Sequence, residues 1–202
     1  MSSKTYKWLI PVIILVVIIF STYSGFKNSY NNMVSYDEGV KAAWSQVENV
    51  YQRRFDLIPN LVETVKGYAS HESETLISVT EARSKAGGVM KISDEVLKDP
   101  EAFKRFQQAQ GELSGALQRL MVISEKYPDL KANQNFLALQ DQLEGTENRI
   151  AVERKRFNDT VRVYNTYIKQ FPRFIIANMS GFTASQYFES TEGADKAPEV
   201  KF

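Results

Sequence analysis

The chain has 202 residues, with 25 lysines and arginines against 24 aspartates and glutamates, one histidine and no cysteine. A net charge of +1 exerts no general pull on nucleic acid or anionic substrates, and the missing cysteine removes disulfides, thiolate metal sites and thiol catalysis. Six prolines and ten glycines, in a background of Leu, Ala, Gln, Glu, Lys and Arg, predict an all-α protein.

Residues 1–7, MSSKTYK, form a short basic lead. From Trp8 to Phe20 there is no charge, and STYSGF extends the charge-free run to Phe26. That is about 19 residues, close to the ~20 that cross a bilayer as a helix. Tyr6, Trp8 and Tyr23 stand where interfacial aromatics belong, and Pro11 lies early enough to cost a helix little. Residues 8–26 therefore read as a single transmembrane anchor, with the lipid bilayer as first partner. The competing reading is a cleaved signal peptide; STYSG offers no A-x-A site, and an amphipathic helix follows with little break. Lys4, Lys7 and the free amine precede the segment and Lys27 alone follows closely, so the positive-inside rule leaves the N-terminus cytoplasmic and the rest outside.

Beyond the anchor, apolar residues recur at steps of three and four along four stretches. The first carries Val40, Trp44, Val47 and Tyr51; the second runs from Ile58 through Leu61, Val65, Tyr68, Glu72, Leu76 and Val79 to Ala82. The third carries Phe103, Phe106, Gln110, Leu113, Leu117 and Leu120, and the fourth runs from Phe136 to Phe171. None can bury its stripe alone, so residues 27–171 are expected to form an elongated antiparallel four-helix bundle, with 172–202 as an irregular tail. The corners are expected at Asp56 with Pro59 (N-cap and first turn), at a loop over 86–102 entered through Gly87 and Gly88, and around Pro128. Asp99 and Pro100 form a second cap-and-proline pair, and QFPRF (170–174) ends the fourth helix, about 40 residues and ~60 Å long. The first half of the tail is aromatic enough to pack on the bundle; the second half should be loose.

Chemistry finds little purchase. HESET (71–75) starts like a zinc-binding HExxH, but Thr75 replaces the second histidine and no other histidine exists. Tyr68 stands three residues before His71, so the Glu-x-x-His of di-iron bundles is missing too. There is no EF-hand spacing, Ser–His–Asp set or glycine-rich phosphate loop, so no catalytic residue, metal or cofactor is expected. The polar residues that stand out are structural. Glu72, Gln110 and Arg154 occupy apolar positions of the stripes, Arg53, Arg54, Asp56 and Pro59 mark the first corner, and Glu144, Glu147 and Arg149 lie midway along the fourth helix. Polar seam residues fix register and oligomer state at some cost in stability. Arg53 or Arg54 is expected to pair with Glu144 or Glu147, and Arg154 with Glu72; the alternative leaves several of them on a solvated face.

Four stretches, QRRFDLIPNLVETVKGYASHE (52–72), VTEARSKA (79–86), YPDLKANQNFLALQDQLEGTENRIAVERKRFN (127–158) and YNTYIKQFP (164–172), together with the final APEVKF, resemble the LemA family of bacterial membrane proteins. The resemblance covers the chain from Tyr30 onward. It implies a helical antiparallel bundle behind an N-terminal membrane helix, with no established activity or cofactor to carry over; the default expectation for its location is the bacterial inner (cytoplasmic) membrane with the bundle facing outward. It also implies contextual partners, since a related magnetosome protein points to membrane organisation and family genes often neighbour a membrane zinc metallopeptidase. The expected function is a membrane-anchored helical scaffold that self-associates or organises an envelope complex. The alternative is an adaptor or regulator of a membrane protease or other envelope protein, acting through a bundle face or a tail whose Val200 and Phe202 could add as a strand to a partner's groove. An enzyme using mid-bundle carboxylates is the remaining, least supported reading.

Overall fold

The computed structural model describes residues 3–90 and 94–189. The elements in order are α1 (Ser3–Lys66), α2 (Ser73–Met90), a 3-10 turn (Asp94–Leu97), α3 (Pro100–Ser124), the single turn α4 (Pro128–Lys131), α5 (Gln134–Lys169) and α6 (Arg173–Ser180). The fold is all-α, and no strand occurs among the described residues. The first apolar segment, Trp8 to Phe20, is solvent-exposed along its length and belongs to the same helix as everything up to Lys66. At 1.5 Å per residue, 64 residues make α1 about 96 Å long.

The first corner is not where the sequence predicts it. Asp56 does not cap a helix and Pro59 does not start one; both lie inside α1, which runs straight through. Two features explain this. The apolar stripe is unbroken across the proline: Val40, Trp44, Val47, Tyr51, Arg54, Ile58, Leu61 and Val65 are all buried, alternating steps of four and three. Pro59 also has no N–H to give the Phe55 carbonyl one turn back, and Arg83 of α2 supplies the missing donor through Nε at 3.2 Å. The same guanidinium lies over the Phe55 ring, 3.8 Å from its centroid. Gly87, one turn further along α2, makes room for that ring: a Cβ there would stand 3.0 and 3.1 Å from its edge carbons.

The turn comes instead at residues 67–72, inside the stretch expected to form the second helix. The Gly67 and Ala69 amides close the end of α1 onto Glu63 and Val65. Gly87 and Gly88 do not end α2 either; it continues to Met90. The remaining boundaries lie close to expectation. The Asp99 carboxylate accepts from the Glu101 and Ala102 amides, with Pro100 at the first helical position of α3. Asn133 caps α5 by accepting from the Phe136 amide at 3.0 Å, and α5 is 36 residues long.

α1 packs along α5, and α2 along α3. Apolar burial falls into two clusters. An aromatic one gathers Trp44, Tyr51, Phe103, Phe106, Phe157, Tyr164 and Phe188; an aliphatic one gathers Ile58, Leu61, Val65, Val79, Leu113, Leu117, Leu120 and Leu143. Trp44 sits at the centre of the first, with ring centroids 5.3 Å from Phe106 and 5.5 Å from Phe157 in edge-on geometry.

Candidate functional site

Between the two clusters lies a layer of polar side chains centred on Arg54, which is 1% exposed. One guanidinium nitrogen, Nη1, donates to Glu147 Oε1 at 2.8 Å and to Ser114 Oγ at 2.7 Å; the other, Nη2, donates to Gln110 Oε1. Arg54 therefore ties α1 to α3 and α5 at one level. Its position is dictated by the stripe, since it follows Tyr51 by three residues and precedes Ile58 by four. Its guanidinium also lies 5.1 Å from the Tyr51 ring centroid, while Arg54 Nε and Gln110 Nε2 are buried without a partner among the described residues. Burial pushes the Tyr51 hydroxyl above its ordinary range. Beside this layer a groove of about 370 Å³ opens between α3 and α5, lined by Ser114, Leu117, Met121, Leu143, Glu144 and Glu147 among others.

The other sequence-expected residues separate. Arg53 and Glu144 are exposed and stand outside the Arg54 layer's hydrogen bonds. Asp56 is exposed and accepts from Gln52 Nε2 at 2.7 Å, one turn earlier on α1. Arg154 does not meet Glu72. It donates instead to the Glu189 carbonyl at 2.9 Å and lies 4.6 Å from the Phe188 ring centroid, because it faces the chain that follows α6. Glu72 closes the α1–α2 turn by accepting from the Tyr127 hydroxyl at 3.1 Å, a bond that raises the tyrosine above its usual range. Tyr68 reaches the same end of α5 by accepting from Asn133 at 2.8 Å. His71 lies exposed in that turn. Val200 and Phe202 fall outside the described residues.

The first half of the tail packs on the bundle, as its aromatics predict, but not as irregular chain throughout: it forms α6 and then an extended strap that sequence reasoning overlooks. Gly181, in the left-handed conformation at φ 76°, ends α6, and residues 182–189 then run extended against α5. Two asparagines on α5 serve the strap as a neighbouring strand would. Asn165 donates to the Ser185 carbonyl and accepts from its amide, both at 2.9 Å; Asn158, two turns earlier, does the same for Phe188, again at 2.9 Å. The Tyr164 hydroxyl donates to the Thr183 carbonyl at 2.9 Å, and the Gln186 amide donates to Leu97 O at 2.8 Å. The strap delivers Phe188 into the aromatic cluster, 5.0 Å from Phe103. The available signal was the pair of asparagines seven residues apart on the buried side of α5.

Chemically, both arrangements bind helices and chain segments to one another. Ser114 has as its neighbour a guanidinium, which cannot take its proton. Among the described residues no group of three His, Cys, Asp or Glu side chains converges.

Comparison with known proteins identifies relatives. The chain is 31% identical over 185 residues to magnetosome protein MamQ of Magnetospirillum gryphiswaldense, a match covering 82% of the chain and 66% of that protein. It is 27% identical over 181 residues to MamQ 1 of Paramagnetospirillum magneticum, with the same coverage. The chain thus spans just under two thirds of the length of these relatives. It is also 23% identical over 191 residues to protein LemA of Metamycoplasma hominis, covering 94% of the chain and 80% of that protein. The LemA family model matches residues 43–202, which includes the Arg54 layer, the Arg83–Phe55 contact and the strap, and the chain belongs to the LemA family.

Proposed function

We propose that this chain is a non-catalytic, membrane-anchored scaffold whose long helices form one antiparallel bundle and which self-associates or organises an envelope complex. The observation that carries the proposal is the continuity of α1: its exposed apolar segment and the bundle's core stripe are one uninterrupted helix. An exposed run of this length and hydropathy is unstable in water and matches the thickness of a bilayer. With no hinge between them, the anchor would hold the bundle at a set attitude to the membrane, as a stalk requires. The basic lead places the N-terminus in the cytoplasm and the bundle outside the inner membrane. The Arg54 layer then serves as a register lock between two apolar cores, the role best attested for buried polar groups in bundles. Kinship with proteins named for the magnetosome supports a structural role.

The test is membrane fractionation of cells expressing the full chain. The protein is expected to stay with membranes washed in alkaline carbonate, and a variant with Val12, Val16 and Ile19 replaced by aspartate should move to the soluble fraction. Release of the unaltered protein by carbonate would overturn the anchor.

A further inference from the structure

α6 and its neighbours present a second apolar surface, distinct from the anchor. One face of α6 packs inward through Ile176 and Ala177. The other turns out Phe174 (42% exposed), Ile175 (45%) and Met179 (76%), and Phe171 (80%) stands exposed in the turn just before the helix. Four large apolar side chains grouped within nine residues, on one short amphipathic helix and the turn that leads into it, are not the scattered exposure ordinary in soluble proteins.

The place of this face along α1 points to what covers it. The end of α5 and the chain after α6 are tied to α1 just past the anchor: Tyr167 accepts from Asn32 at 3.0 Å, and the Phe182 ring lies 5.7 Å from Tyr30 edge-on. At 1.5 Å per residue, Tyr30 and Asn32 stand only about 6 and 9 Å beyond Phe26, the last residue of the charge-free run. The polar headgroup layer outside the hydrocarbon core is itself roughly 5–8 Å deep on each side. The charge of this end agrees. No acidic residue occurs before Asp37, nor between Asp159 and Glu189, while Lys27, Arg162, Lys169 and Arg173 fall in those stretches. Arg173 lies over the Tyr167 ring, 4.1 Å from its centroid, so its charge is held at the same level.

We infer that α6 is an interfacial helix: its outer face, Phe174, Ile175 and Met179, together with Phe171 in the turn before it, enters the boundary between headgroups and acyl chains of the membrane that holds the anchor, with Lys27, Lys169 and Arg173 against anionic headgroups. This rests on the membrane anchor proposed above. The chain touches the bilayer at two places, one along α1 and one beside it, and the second contact resists tilting and rotation of the stalk.

Because the chain has no cysteine, single labels can be placed without background. The full-length protein, carrying an environment-sensitive fluorophore at Met179→Cys, is reconstituted into phosphatidylcholine vesicles with or without phosphatidylglycerol and titrated with spin-labelled lipid and with iodide. Val17→Cys reports the anchor, and Val122→Cys, exposed near the end of α3, reports a surface in water. The label at 179 is expected to lose most of its fluorescence to spin-labelled lipid and little to iodide, more so with phosphatidylglycerol, while the label at 122 does the reverse. Lipid quenching at 17 with only iodide quenching at 179 overturns the inference and leaves the anchor standing. Shielding of 179 from both quenchers also overturns it, in favour of a protein surface such as a second copy of the chain. Absence of lipid quenching at 17 and 179 alike removes the anchor and the inference together. Quenching at 179 that ignores phosphatidylglycerol overturns the part assigned to Lys27, Lys169 and Arg173.

Discussion

Arg54 is the residue on which the two halves of the core meet. Its partners differ in their access to water: Glu147 is half-buried, whereas Gln110 and Arg54 itself are sealed in. Removing the carboxylate leaves a buried cation with only neutral acceptors, while removing the cation leaves a carboxylate able to turn outward. We therefore expect Glu147→Ala to cost about 3–5 kcal/mol and Arg54→Met distinctly less, measured by chemical unfolding of the full-length protein in detergent with Trp44 fluorescence as the probe. The reverse order would contradict the assignment of the layer. The two adjacent glycines of α2 make a second contrast. A Cβ on Gly88 meets nothing within 4 Å, so Gly88→Ala should stabilise by roughly 0.5–1 kcal/mol through helix propensity. At Gly87 the ring edge of Phe55 stands 3.0 Å away beneath the Arg83 guanidinium, and Gly87→Ala should cost about 1 kcal/mol net. Arg54 is legible in the sequence once the stripe is followed through Pro59: it sits between Tyr51 and Ile58 at steps of three and four. Treating the proline as a helix start breaks that stripe and leaves Arg53 and Arg54 indistinguishable, although only the second faces the core.

At the scale of elements, α1 survives an internal proline because another helix supplies the lost hydrogen bond. Arg83 does this for the Phe55 carbonyl and covers the ring of the same residue. Arg83→Met should therefore cost about 2 kcal/mol when Pro59 is present. With Pro59→Ala an amide again faces that carbonyl, and the same change should cost about 1 kcal/mol less. The coupling, read from a double-mutant cycle of unfolding midpoints, is zero if the two residues act independently. The strap offers a parallel case. Asn165→Leu keeps the bulk but leaves the Ser185 amide and carbonyl buried without partners, at a cost of about 2–4 kcal/mol. Limited proteolysis should then cut between residues 181 and 189 well before the helices. Cutting at an unchanged rate would show that the strap is held by Phe188 alone. Helix existence was plain from spacing, and so was the cap at Asp99; the corner around Pro128 was legible too, though not that Asn133 caps the helix after it. The strap was not, because extended chain held by side-chain amides leaves no periodic trace. The turn at 67–72 was hidden by Tyr68, Glu72 and Leu76, which happen to continue the helical spacing across it.

For the whole molecule, α1 is both the exposed apolar segment and a principal wall of the core, so no break in the helix separates the proposed anchor from the packed helices. The interfacial face of α6 would add a second point of support at the same end. Fixed to a bilayer in this proposed way, the protein would present its remaining surfaces sideways to its neighbours, the geometry that the proposed scaffold needs. The sequence pointed this way, since an amphipathic helix follows the apolar run with little break, and the helix is indeed unbroken between Phe20 and Val40. The most direct measurement is the mass and composition of the full-length protein extracted gently from its native membrane, by light scattering and mass spectrometry on one peak. The scaffold predicts a homogeneous particle of several copies containing this chain alone. A monomer persisting at high concentration in several detergents would contradict it, and a second protein at fixed stoichiometry would replace it with an adaptor.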